Sequence, residues 1–231
     1  MADRFSISLP QPAPIDAVPG LEYAPEGKSA KATLILGHGA GAPQAHPWMV
    51  ATSRGLAARG ITVVTFNFPY SELRRSGPDK PEVLEATWVA VIQAVRARPA
   101  SKGHKLFIGG KSMGGRIASQ VASKWDEPGG PGGPLAGLIF FGYPLHPTGK
   151  PQQLRAAHLP AIKAPMLFVQ GSRDSFGTPA ELEPFVKKIH GATIFPIEGG
   201  DHSLRVSRTP AKQAPIDAEI LDTAVAWMHT R

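Results

Sequence analysis

The chain has 231 residues, 42% of them apolar and 19% charged, a balance that fits one globular domain with a sizeable core and leaves little room for a second. It contains no cysteine, which excludes disulfides, thiolate catalysis and cysteine–zinc sites and leaves the redox compartment open. The net charge is +7 and the pI near 9.8, but only Arg74-Arg75 and Lys187-Lys188 are adjacent, so no nucleic-acid partner is expected and the charge serves solubility or weak attraction of acidic substrates.

In chain order, the N-terminal segment has Asp3 and Arg4 followed by Pro10, Pro12, Pro14 and Pro19. It lacks the apolar stretch of a secretory signal, and no run of about 18 apolar residues follows anywhere. A cytoplasmic location and no membrane association are expected. Residues 1–30 are read as an extension or edge strands of a single domain, 1–231. Short apolar runs then alternate with helical patterns, as in parallel strands joined by crossover helices. The runs are Thr33–Leu36, Ile61–Phe66, Lys105–Ile108, Leu138–Phe141, Met166–Val169 and Thr193–Ile197. Their near-continuous apolar character fits burial on both faces, and Pro196 marks the last as an edge strand.

Helical spacing joins Leu84, Trp88, Val91, Ile92 and Val95 after Pro81, and Met113, Ile117, Val121 and Trp125 after Ser112. Thr178-Pro179-Ala180-Glu181 has the form of a capping box ahead of Leu182, Phe185, Val186 and Ile189. Ile216, Ile220, Ala224 and Trp227 define a final helix. The Pro/Gly-rich segment 128–134 is a surface connection. No internal repeat is evident. Only the stretch from Tyr143 to Lys163 follows the fourth run, so no large lid is encoded and an open site is expected.

The strongest motif is Gly110-Lys111-Ser112-Met113-Gly114-Gly115, a G-x-S-x-G sequence between a strand and a helix. A serine perched on that turn has a strained backbone, and the residues two places either side approach too closely for side chains. A phosphate-binding loop would need a glycine where Lys105 stands, and is rejected. The plain alternative is a tight turn carrying a surface serine. In the α/β-hydrolase fold the order is serine, acid, histidine. Asp174 follows the fifth run and His202 the sixth, at the carboxyl edge shared with Ser112. Asp201, Glu198 and Asp222 are weaker candidates for the acid. His38, His46, His146 and His158 precede the acid and are weaker candidates for the base, His38 being read as structural.

The loop His38-Gly39-Ala40-Gly41 supplies the second oxyanion donor. With the Met113 N–H, the Ala40 N–H would stabilise a tetrahedral oxyanion, with Gly41 as fallback and both glycines turning the backbone inward. Lys111, Arg116 and Arg173 lie near the elbow in sequence and are read as solvated, with recognition of an acidic group as the other reading. No metal pattern such as H-E-x-x-H is present, and no cofactor or metal is expected.

With these motifs, residues 36–41, 110–116, 170–174 and 199–203, together with Phe66–Tyr70 and Gly142–Pro147, resemble the KANL3/Tex30 family of α/β hydrolases, near the dienelactone-hydrolase-like enzymes. The resemblance implies an α/β-hydrolase fold with a mostly parallel sheet flanked by helices, a minimal lid, and a triad of Ser112, Asp174 and His202. Dienelactone hydrolases use cysteine where this chain has serine, which speaks against dienelactone as substrate. The expected function is hydrolysis of a small-molecule ester, thioester or lactone through an acyl-enzyme. The alternatives are acyl transfer to another acceptor, and a non-catalytic binding or scaffold role, since relatives are known as complex subunits.

Overall fold

The computed structural model describes residues 2–231. Its strands are β1 (Asp3–Ser8), β2 (Ala17–Tyr23), β3 (Ala32–Gly37), β4 (Thr62–Phe66), β5 (Lys105–Lys111), β6 (Gly137–Phe141), β7 (Met166–Gly171) and β8 (Ala192–Ile197). They form one sheet in the order β1-β2-β4-β3-β5-β6-β7-β8. β1–β2 and β2–β4 pair antiparallel, and every pairing from β4 to β8 is parallel. The first two strands lie outside β4, where Arg98 ties them down through Glu22 (2.7 Å) and Asp3 (2.8 Å). β8 is the opposite edge, as Pro196 requires.

The helices are α1 (Pro47–Ala57), α2 (Pro69–Glu72), α3 (Pro81–Ala97), α4 (Met113–Ser123), α5 (Pro179–Val186) and α6 (Pro210–His229). Side chains alternate across the parallel strands with period two. Leu106, Ile108, Leu138, Phe140 and Phe168 join Trp88, Val91, Ile117 and Leu182 on the face covered by α3, α4 and α5. Leu34, Leu36, Phe107, Ile139, Phe141 and Val169 join Leu56, Ile220, Ala224 and Trp227 on the face covered by α1 and α6. Two buried faces explain why these strands read as unbroken apolar runs. None of the described helices is long and apolar enough to cross a membrane.

Two helical stripes end sooner than periodicity indicates. Trp125 lies beyond α4, where its indole N–H donates to the Gly133 carbonyl (2.8 Å) and anchors the Pro/Gly-rich connection. Ile189 lies beyond α5, although the Thr178–Glu181 capping box forms as expected. Both side chains stay buried in the core shared with α3, α4 and α5.

The parallel register places Lys111, Phe141, Val169 and Phe195 in one row. Chain segments leaving β5, β7 and β8 therefore emerge at one sheet edge. At the end of β5 the backbone turns at Ser112 (φ 50°, ψ −117°) directly into α4. A Cβ on Gly110 would lie 2.3 Å from the Gly37 carbonyl oxygen and 3.0 Å from the Gly114 backbone. One on Gly114 would meet the same Gly37 oxygen at 2.3 Å and that of His38 at 2.6 Å. Both glycines are thus demanded by backbone against backbone, where nothing flexible can yield. Gly114→Ala is expected to cost about 3 kcal/mol or more of stability in urea unfolding. Gly77→Ala, at a site with open space for a Cβ, is expected to stay within about 0.5 kcal/mol of wild type.

Candidate active site

Ser112, His202 and Asp174 form a continuous hydrogen-bonded chain. The Ser112 hydroxyl reaches His202 Nε2 at 2.8 Å, and His202 Nδ1 lies 2.9 and 2.8 Å from the two oxygens of Asp174. An Nδ1–H donating to the carboxylate leaves Nε2 free to accept the serine proton. Asp174 is only 2% exposed, so its charge needs donors. Besides the imidazole, its Oδ2 accepts from the Gln170 side-chain amide (2.8 Å) and its Oδ1 from the Phe176 N–H (2.8 Å). The Phe176 ring leans on His202 with centroids 4.3 Å apart.

Gln170 opens the 170–174 motif, but the sequence assigns it no role. Its amide oxygen accepts from the Tyr143 N–H at 2.8 Å, and its NH2 also lies 2.6 Å from the Gly177 carbonyl. It locks the loops after β6 and β7 to the carboxylate. The signal in the sequence was a polar residue directly after the apolar run Met166–Val169, which the structure buries fully within β7.

The other candidate acids and bases have separate structural tasks. Asp201 caps a turn by accepting from the Ser203 and Arg205 amides. Glu198 accepts from Ser172, and Asp222 pairs with Arg59 at the surface. His46 caps α1 through Trp48, His146 faces Glu181, and His158 bonds Ser119. His38 is wholly buried: Nδ1 meets the Gly39 carbonyl at 2.8 Å, and Nε2 accepts from the Phe68 amide at 3.1 Å. It thereby ties the glycine loop to the segment after β4. Burial lowers its pKa to about 4, so it is a neutral strut.

Ala40 of that loop and Met113, the first residue of α4, line a cleft of about 540 Å³ that Ser112 and His202 also line. Gly41 carries the turn with φ +72°. Gly39 does not: a Cβ there would make only ordinary contacts, at 3.5–3.6 Å from Lys111 and Ser112. The expectation that both glycines are needed is corrected to Gly41 alone.

The solvated reading of the nearby cations is also corrected in part. Lys111 and Arg116 line the cleft, joined by Arg155 and Arg205. The Lys111 ammonium donates to the His202 carbonyl, bracing the histidine loop. Burial lowers its pKa to about 8, with Asp174 and Asp201 pulling the other way. Arg173 instead caps the Gly199 carbonyl outside the cleft. Among the described residues, no group of three or more His, Asp or Glu side chains converges to hold a metal ion.

Residues 30–229 match the family described as the alpha/beta hydrolase domain, and the chain belongs to that family. Its fold is similar to that of a serine hydrolase without a lid from Xanthomonas campestris, with 18% identity, 97% of this chain and 94% of that one covered, and a TM-score of 0.72. A serine hydrolase homologue from Coxiella burnetii aligns at 20% identity over 97% and 96%, with a TM-score of 0.71. A dienelactone hydrolase from Anabaena variabilis aligns at 17% over 98% and 96%, with a TM-score of 0.69. The resemblance to these proteins is one of fold.

His158, like His38, has its pKa lowered to about 4, chiefly by burial and then by Arg116. An unfolded-state histidine titrates near 6.5. Between these values the unfolded chain binds protons that the folded chain does not, so stability falls as pH drops from about 6.5 to about 4. Melting temperatures over that range should decline, and His158→Gln should flatten part of the slope.

Proposed function

We propose that the protein is a serine hydrolase that cleaves short carboxylic esters, thioesters or lactones through an acyl-enzyme. The observation that carries this reading is the unbroken Ser112–His202–Asp174 chain, at 2.8 Å from hydroxyl to imidazole and 2.8–2.9 Å from imidazole to carboxylate. Ser112 attacks the substrate carbonyl as His202 takes its proton. Asp174 fixes the imidazole tautomer and stabilises its charged form. The N–H groups of Met113 and Ala40 receive the developing oxyanion, and loss of one such donor costs roughly 10²–10³ in rate. His202 then protonates the departing alcohol or thiol, and water repeats the sequence to release the acid. Water and the substrate supply every atom, so no cofactor enters the cycle.

Two features of the cleft support a short acyl group. At about 540 Å³ it accepts a small acyl group. The Tyr143–Lys163 stretch contains only a three-residue 3-10 turn, Leu159–Ala161, and provides little apolar wall for a long chain. Within the family, the motifs at residues 36–41, 110–116 and 199–203 support kinship with the KANL3/Tex30 group. A scaffold has no physical use for a serine held at φ +50° beside an aligned imidazole, since such strain costs on the order of 1–3 kcal/mol.

The test is labelling by a fluorophosphonate probe. Wild type should label, Ser112→Ala and His202→Ala should not, and Asp174→Asn should lose up to about 10⁴ in rate. A folded wild-type protein that fails to label would remove the hydrolase reading.

A further inference from the structure

The mechanism above uses none of the arginines that line the cleft. Arg116 stands one helical turn beyond Ser112 on α4, its amide bonded to the Ser112 carbonyl at 3.0 Å. Both residues line the same cleft. Its guanidinium spends one donor on Gln120 (3.2 Å), and its Nε is buried with no partner. The chain then brings a second arginine to the same cleft. Tyr143 OH donates to the Arg155 carbonyl (2.8 Å) and the Arg155 amide donates to the Leu145 carbonyl (2.8 Å). This pins the backbone of Arg155 while its side chain makes no hydrogen bond among the described residues. The Arg155 charge is close enough to depress the Arg116 pKa, second only to burial.

Neither arginine has a carboxylate partner. Arg116, Arg155 and Arg205 take part in none of the ion pairs among the described residues. Glu85, the acidic group nearest in effect to Arg116, is paired with Lys124 at 2.8 Å. Asp217 is the one carboxylate lining the cleft, and its Oδ1 is held by Gln213. Two neighbouring guanidinium groups, one with a buried unpaired donor, form a poor arrangement until an anion arrives. Planar guanidinium forks match the oxygens of a carboxylate or phosphate.

We propose that Arg116 and Arg155 form an anion subsite beside Ser112, and that the preferred substrates are short acyl compounds carrying a carboxylate or phosphate group, such as half-esters of dicarboxylic acids. The choice of acyl substrate rests on the hydrolase reading; the anion site itself does not.

Two measurements separate the two. In the first, kcat/KM is compared for the p-nitrophenyl half-ester of glutarate and for the corresponding ester of glutaric acid monoamide, its neutral isostere. Wild type should favour the anion at least tenfold, chiefly through KM. Arg155→Gln should reduce that ratio about tenfold and Arg155→Glu should reverse it, while Arg155→Lys should retain part of it. A wild-type ratio near one, or a ratio unmoved by Arg155→Gln, overturns the proposal. In the second, Ser112→Ala is titrated by NMR with monomethyl glutarate, with methyl butyrate and with inorganic phosphate. Binding of either anion but not the neutral ester, weakened tenfold or more by Arg155→Gln, supports the subsite even if no ester turns over, and shows which anion it takes. Equal binding of the neutral ester, or no binding of either anion, overturns it. Because the Arg155 side chain makes no structural bond, loss of folding should not obscure these variants.

Discussion

The backbone at Ser112 has nowhere else to go. Strand β5 ends against β3, α4 begins at once, and Gly110 and Gly114 both rest on the carbonyl of Gly37. That three-way backbone contact leaves the serine in a positive-φ conformation with its hydroxyl lifted above the sheet edge. The strain is offset by burial of Met113, Ile117 and Val121 along α4, each worth roughly 1.5–3 kcal/mol relative to exposure. The same contact brings the His38 loop beside the serine, so Ser112 and the glycine loop are positioned by one packing event.

Behind His202 lies a buried polar network. Asp174 is buried and satisfied by His202, Gln170 and the Phe176 amide, and Gln170 in turn holds Tyr143 and Gly177. Burial strengthens each of these bonds and raises the cost of losing any partner. Lys111 completes the frame from the other side by donating to the His202 carbonyl. The imidazole is therefore fixed by its ring partners, by its own backbone and by the face of Phe176. Such rigidity matters because a general base acts only within hydrogen-bond reach of the proton it abstracts.

The Tyr143–Lys163 stretch occupies the place where a lid would be inserted, and it brings Arg155 to the cleft. Tyr143 donates to the Arg155 carbonyl, tying the middle of the connection back to its start. Arg155 was invisible in the sequence for that reason: nothing local distinguishes it from a solvated arginine. Arg116 and Lys111 looked solvated as well, because a charged residue beside a glycine-rich turn is usually exposed. Lys111 is held instead against the histidine loop, and both residues line the cleft.

What could be read along the chain were features set by neighbours in sequence: apolar runs buried on both faces, the capping box before α5, the edge position of Pro196, and the glycines that a strand-to-helix elbow requires. The order of Ser112, Asp174 and His202 was legible for a related reason. Parallel strands all present their carboxyl ends at one edge, so strand order in the sequence sets which loops share it. The tertiary structure decided everything that depends on distances between segments. It joined Ser112 to His202 across 90 positions and Asp174 to His202 across 28. It gave Asp201, Glu198 and the other histidines different partners, placed Gln170 under the carboxylate and showed that Gly41, not Gly39, makes the loop's turn. Period and turn sterics are written in adjacent residues, whereas burial and convergence of charge exist only once distant strands have packed.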